Sequence, residues 1–238
     1  MKTLSLVIIL GIISITSIFA LLQFNETNST IEEIDLQVLK NTEYDNSNWT
    51  IFTSEKKPMT DERLKNWSEN SKLTWNDFTG NSPSNPQNHA YTYTIIDYSH
   101  SIESLPMQEC KFTFTKVDTQ AFMVSFNSWS IKQSISLLNH EQGHFDIAKI
   151  HAQKLEQFLE QQLGKEIECV PISVSNDKTT RMEIVAKEIT ENIFQSLENE
   201  WYEMDTNYDE DTQVGTSLLK QEEWDKIINS KLENLVLK

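Results

Sequence analysis

The sequence predicts an α+β fold: a small antiparallel sheet followed by long packed helices, one of them a zincin-like helix carrying an HExxH pattern. Three observations predict it. Short runs with period-two alternation of large and polar residues occupy the middle of the chain, as in Cys110 to Thr115. Long helical runs with few breakers fill the C-terminal half. Strands come first and helices after, which separates the two classes instead of alternating them.

The elements are read in order. Lys2 precedes an uncharged, mostly apolar run from Leu4 to Leu22, and the next charge is Glu26. This reads either as a cleaved export signal ending near Ala20 or as an uncleaved span, because about 20 apolar residues suffice to cross a bilayer. A lone Lys before the run favours an orientation with the main domain outside. Residues 1–24 are therefore assigned to a signal peptide or N-terminal membrane anchor, and 25–72 to a linker and N-terminal extension. The domain proper is assigned to 73–238. Within the extension, Trp49 to Thr53 resembles a strand, and Thr60 to Arg63 a helix start with Thr60 as cap.

Leu73 to Gly80 ends at a glycine and leads into a turn-rich loop holding Pro83 and Pro86. Three strands are predicted next: Ala90 to Tyr98, Cys110 to Thr115, and Ala121 to Trp129. The stretch from Ala121 to Phe126 could offer a sheet edge to an extended peptide, or simply form sheet core. Helices are predicted over Ile131 to Leu163, Thr180 to Met204 and Leu218 to Val236, with a polar, acidic connection from Asp205 to Gly215.

Composition narrows the partners. The formal net charge is −16, which repels phosphate backbones and speaks against nucleic acid. Charge attraction to anionic lipid is disfavoured too, so membrane association would rest on the N-terminal apolar segment. Hydrophobic residues make up 38 % and charged residues 24 %, the balance of a domain with its own core. The two cysteines, Cys110 and Cys169, form either a disulfide or two buried thiols; export favours the disulfide. Neither has a CxxC partner, so a cysteine metal site is not expected. Oligomeric state is not encoded in any of these features.

The chemistry-bearing motif is His140-Glu141-Gln142-Gly143-His144. Residues four apart share one helix face, so His140 and His144 can reach one cation. Zinc accepts neutral imidazole nitrogens, and Glu141 on the neighbouring edge can serve as general base to a water. Gly143 costs a helix about 1 kcal/mol relative to Ala, so a close approach by another backbone, a helix or the substrate should compensate. His151 lies on the same stripe but about 10 Å further along, and is read as an exposed or packing residue. Asp146 points to the opposite face and is read as hydrogen-bonding support.

Leu138 to Ala148 closely resembles the signature of bacterial domain of unknown function 922, a family described as secreted zinc-dependent proteases. Three more segments resemble that family's pattern in order: Leu73 to Gly80, Asn127-Ser128-Trp129, and Tyr208 to Gly215 followed by Trp224. The resemblance spans roughly 73–228 and implies a zinc cofactor, a peptide or protein substrate and an exported location. One departure stands out: the family's Tyr-Asp-x-Glu-Thr-x-His-Gly segment has Val214 at its His position, and valine cannot bind zinc.

A catalytic zinc needs a third protein ligand. His89 and His100 lie before the helix, so carboxylates are the better candidates. Glu200, Glu203, Asp205, Asp209 and Asp211 cluster near the predicted end of the second helix. The family match selects Asp209 as the third ligand, and beside it Tyr208 as a hydroxyl able to stabilise an oxyanion. A hairpin of the two long helices would carry this region back over the HExxH turn. The expected activity is metal-assisted peptide hydrolysis with Glu141 as base. The alternatives are a non-catalytic cell-envelope binding protein that retains a metal-site-like helix, or a zinc amidase acting on cell-wall material.

Overall fold

The sheet is built around one long strand. The computed structural model describes residues 63–70, 72–106 and 110–236. The apolar run, the linker, the Trp49 to Thr53 segment and the Thr60 cap all lie outside the described residues. Strand β1 is Leu64–Asn66, β2 Ala90–Tyr91, β3 Thr94–Ser104, β4 Lys111–Val124, β5 Trp129–Ser130 and β6 Ile167–Glu168. The helices are α1 Ile135–Glu160, α2 Lys178–Thr212 and α3 Leu218–Val236. The α+β class read from the sequence is the class observed.

β4 pairs antiparallel with β3 along nearly its whole length. Its other side is shared by β1, against Phe122 to Val124, and β6, against Lys111 and Phe112. The pairing shifts by one residue between Ser101 and Ile102 of β3. This shift changes which residues of β4 face inward. Phe112 and Phe114 are buried before it, and Thr119, Ala121 and Met123 after it. A bulge that flips the phase keeps one face of a 14-residue strand turned to the helices throughout.

The core lies between that face and the helices. Ala121 packs with Ile147 and Ala148 of α1, and Met123 with Phe145 and Leu73. The Thr119 hydroxyl donates to the Ala152 carbonyl at 2.7 Å. Phe112 and Phe114 meet Met182, Val185 and Ala186 from the first half of α2. Ser134 caps α1 by accepting from the Leu137 amide, and Asp177 caps α2 by accepting from the Thr180 amide.

Several expectations are corrected. No helix follows Arg63; Leu64 to Asn66 is a strand, because pairing with β4 overrides the local signal. The sheet therefore begins inside the segment assigned to the extension 25–72. The predicted strand Ala90 to Tyr98 is broken: β2 leaves to pair with β5, and β3 starts at Thr94. The two strands predicted over 110–129 are mainly one continuous strand. Residues 122 to 124 are flanked on both sides by β1 and β3, so this stretch is sheet core and offers no edge to a peptide. The largest difference is α2, which runs eight residues past Met204 to Thr212. Trp201, Tyr208 and Thr212 are buried along one face, and this continues the apolar stripe through the acidic run. α1 begins four residues later than expected, at its Ser134 cap, and α3 has the predicted bounds.

Cys110 and Cys169 are joined in a disulfide across 59 residues, tying the start of β4 to the chain after β6. Among the described residues no helix is long and apolar enough to cross a membrane. Replacing both cysteines by serine is expected to lower the unfolding free energy by about 4 kcal/mol, from the chain entropy the loop closure removes. Chemical denaturation of the oxidised protein against the double variant measures this, and an unchanged midpoint would contradict it.

Candidate metal centre

Helix α1 presents His140 and His144 one turn apart, both buried. The C-terminal turns of α2 lie against them because α2 continues as a helix through the acidic run. Three atoms converge. His140 Nε2 is 3.1 Å from Asp209 Oδ1, His144 Nε2 is 3.2 Å from the same oxygen, and the two nitrogens are 3.3 Å apart. Ligands about 2.0–2.1 Å from a tetrahedral ion are separated by about 3.3–3.4 Å, so this triangle has the size of three corners of such a site. The group could hold one metal ion, with Asp209 as the third donor.

The outer nitrogens of both rings are held as a metal site requires. His144 Nδ1 is 2.7 Å from Asp205 Oδ1. His140 Nδ1 lies 3.4 Å from Gln221 Oε1 of α3 and 3.3 Å from the Thr212 hydroxyl. With protons on the Nδ1 atoms, each imidazole offers a bare Nε2 to the centre. The donor set, the spacing and the tautomer-fixing partners all fit a cation.

Of the five acidic candidates, Asp205 and Asp209 face the imidazoles, one turn apart on α2. Glu200 pairs with Lys154, and Asp211 accepts from Trp224 Nε1 at 3.0 Å. Glu203 is exposed. His89 and His100 are elsewhere: the His89 carbonyl accepts from the Ile131 amide, and His100 sits 3.5 Å from Glu183. His151 is buried and stacked near Trp201, a packing residue as read. Asp146 accepts from Trp67 Nε1 and Gln142 Nε2 on the far face of α1, the support expected of it.

Tyr208 does not face the centre as an oxyanion donor. Its hydroxyl donates to the His140 carbonyl at 2.9 Å and accepts from Gln221 Nε2 at 2.7 Å, and the residue is fully buried. Its ring fills the space that Gly143 leaves, since a Cβ there would lie 2.1 Å from the tyrosine oxygen. The close approach demanded by Gly143 is thus helix against helix. Val214 lines the cavity but offers no donor, and Asp209 stands where a third donor could.

Glu141 is buried, and its Oε2 accepts from the Thr92 hydroxyl at 2.6 Å. Burial pushes its carboxyl up, partly offset by His144, Thr92 and His140. Thr92 was not visible as a site residue in the sequence: it stands 49 positions earlier, between β2 and β3, with no local pattern marking it. The segments around Leu73, Gly80 and Ser128 are tied to the same region. The Gly80 amide donates to the Ser128 carbonyl at 2.8 Å, the Ser128 hydroxyl accepts from the Tyr93 amide, and the Leu73 amide donates to Gln142 Oε1. They fix the β2–β3 connection and the outer face of α1.

The cavity above the centre measures about 250 Å³. Glu141, His144, Asp205, Asp209, Tyr91 and Tyr93 all contribute to its lining. Comparison with known protein families, curated proteins and solved structures gives no match to this chain.

Burial opposes a charge on His144, but the Asp205 and Asp209 carboxylates outweigh it and raise its pKa well above 6.5. Burial likewise opposes the Asp209 charge, and hydrogen bonds and attraction from His140 and His144 hold that carboxyl well below the usual range. In the metal-free protein the His144 contribution to stability is fully present below about 6.5 and is lost as pH rises through its raised folded value. A metal ion must displace this proton. Metal affinity is therefore expected to rise with pH, with about one proton released per ion at neutral pH. Calorimetry in buffers of different protonation enthalpy reads the release, and a buffer-independent enthalpy would contradict it. Asp205→Asn keeps an acceptor beside His144 without the charge, and is expected to weaken metal binding about 10–100-fold in a chelator competition titration.

Proposed function

We propose that this chain is an exported zinc-dependent peptidase that hydrolyses peptide bonds with Glu141 as general base, as its resemblance to the domain 922 family implies. The observation that carries the reading is the His140, His144 and Asp209 triangle with the buried Glu141 carboxylate in the same cavity. Two imidazoles and a carboxylate are a donor set that suits zinc. Zinc held there would supply Lewis acidity, making water more acidic and a carbonyl more electrophilic.

The rest of the work falls to the chain. Thr92 holds Glu141 Oε2, leaving Oε1 to take the proton of the attacking water. As the water oxygen bonds to the carbonyl carbon and the C–N bond breaks, Glu141 passes that proton to the leaving amine. Burial raises the carboxyl's proton affinity, which suits a group that must both accept and return a proton. Asp205, Gln221 and Thr212 hold the imidazoles in place and tautomer. The rival reading is a non-catalytic envelope protein; Val214 favours it by lacking a donor, and Asp209 offers one in its place.

Glu141→Gln is expected to retain about one zinc per chain and to cut peptide hydrolysis by about 10²–10⁴-fold or more. Metal analysis beside a peptide cleavage assay checks both halves. Full activity in the variant would sink the general-base role. Stoichiometric zinc with no cleavage of any peptide by the unaltered protein would favour the cell-wall amide instead.

A further inference from the structure

The walls of the cavity carry information about the substrate that the metal centre does not. Tyr91 and Tyr93 come from the β2–β3 connection, their ring centroids 6.5 Å apart. Trp201 and Tyr202 come from α2, their rings parallel within 2°. Three of these four are large aromatic residues left open: Tyr91 is 45 % exposed, Tyr93 39 % and Tyr202 58 %. Aromatic side chains of this size are usually covered, and here they line or rim one cavity from two sides.

Carboxylates outnumber cations in the lining. Among the described residues Glu141, Asp205 and Asp209 contribute carboxylates and no lysine or arginine lines the cavity, while the imidazolium of metal-free His144 is already paired with Asp205 and Asp209. Even with a dication at the centre, three carboxylates leave an excess of negative charge. The whole chain adds a formal net charge of −16, which draws cations toward the cleft. Tyrosine faces beside carboxylates are the environment that holds an ammonium or guanidinium group.

We infer that the tyrosine-walled cleft is a subsite for a basic side chain, lysine or arginine, next to the bond that the centre acts on. This rests on the reading of the cleft as a peptidase site. The basic group lies against the Tyr91, Tyr93 and Tyr202 rings, with its charge offset by Asp205 and Asp209. Acidic side chains are repelled from the same place.

The test separates this inference from peptidase activity by reading binding as well as cleavage. The unaltered protein, kept metal-free so that no bond is cut and all three carboxylates remain, is titrated by calorimetry with N-acetylated, C-amidated pentapeptides Gly-Gly-X-Gly-Gly, where X is Arg, Lys, Leu or Glu. Arg and Lys peptides are expected to bind about tenfold more tightly than Leu, and Glu most weakly. The preference should shrink as salt is raised. Adding Tyr202→Ala should bring the Arg-to-Leu ratio down several-fold, whereas Tyr202→Phe, which keeps the ring, should preserve it. Tyr91→Ala serves the same purpose if the first variant does not fold. Glu or Leu peptides binding as tightly as Arg would overturn the inference, as would an N-acetylglucosamine oligomer binding more tightly than any of the peptides. Cleavage by the unaltered protein without charge preference would overturn it while leaving peptidase activity standing. Charge-selective binding without any cleavage would support the subsite and remove the peptidase.

Discussion

The site depends on how closely α2 can approach α1, and that distance is set by Tyr208 lying over Gly143. The tyrosine ring stacks on His140 with centroids 4.7 Å apart and planes 16° from parallel, while its hydroxyl bridges the His140 carbonyl and Gln221. Any side chain at position 143 would push the ring away, because even a Cβ would lie 2.1 Å from its oxygen. Glycine costs α1 about 1 kcal/mol, and burying a large side chain returns about 1.5–3 kcal/mol. Once Tyr208 is seated, the rotation of α2 is fixed. Asp209 follows it by one residue and Asp205 precedes Asp209 by one turn, so both carboxylates face α1 without a loop to position them. A site borne on two packed helices is held more rigidly than one borne on loops.

Electrostatics then make the arrangement self-consistent. Two imidazoles and two carboxylates meet in a largely buried space, where unpaired charges would be costly. Asp205 fixes the outer nitrogen of His144, and Asp209 bridges the inner nitrogens of both rings. Metal-free, the cluster is held by a proton on His144; with a cation present, the proton is replaced by a larger positive charge at the same point. The carboxylates thus serve two states of one site. Glu141 stands apart from this exchange because Thr92, from another part of the chain, holds it.

Some of this was legible in the sequence. The two histidines are four residues apart in a helical run, so their shared face follows from helix geometry. α3 was bounded correctly because Leu218 to Val236 holds neither glycine nor proline. The strand pattern gave the class of fold but not its connections: one bulge joined two expected strands into β4, and β2 separated from β3 to pair with β5. The acidic run from Asp205 to Asp211 resembles a solvated connection, because local charge density hides a buried face made by Trp201, Tyr208 and Thr212. Only tertiary packing reveals that those charges form the last turns of a helix. Thr92 and Gln221 were invisible for a related reason. Each acts across a sequence separation, 49 residues to Glu141 and 81 to His140, that no local pattern records.

Val214 is explained by the turn that contains it. After Thr212 the chain takes three left-handed residues in succession, Gln213 at φ 51°, Val214 at 53° and Gly215 at 75°. A β-branched residue in that region is uncommon, and such conformations cost on the order of 1–3 kcal/mol. The turn holds because both of its ends are tied. The Val214 amide donates to the Asp209 carbonyl, and Gly215 packs against His140, where a Cβ would lie 2.7 Å from the histidine Cβ. The turn reverses the chain into α3, which carries Gln221 to the outer nitrogen of His140. Residue 214 therefore lies beside the centre whatever its side chain, and as valine it adds apolar wall instead of a third imidazole. With Asp209 as the third donor, the protein ligands carry one negative charge more than three neutral histidines would. That charge tempers the electrophilicity of a bound cation and tightens its hold on it. With valine at position 214, the two imidazoles and one carboxylate remain a group that could hold a metal ion.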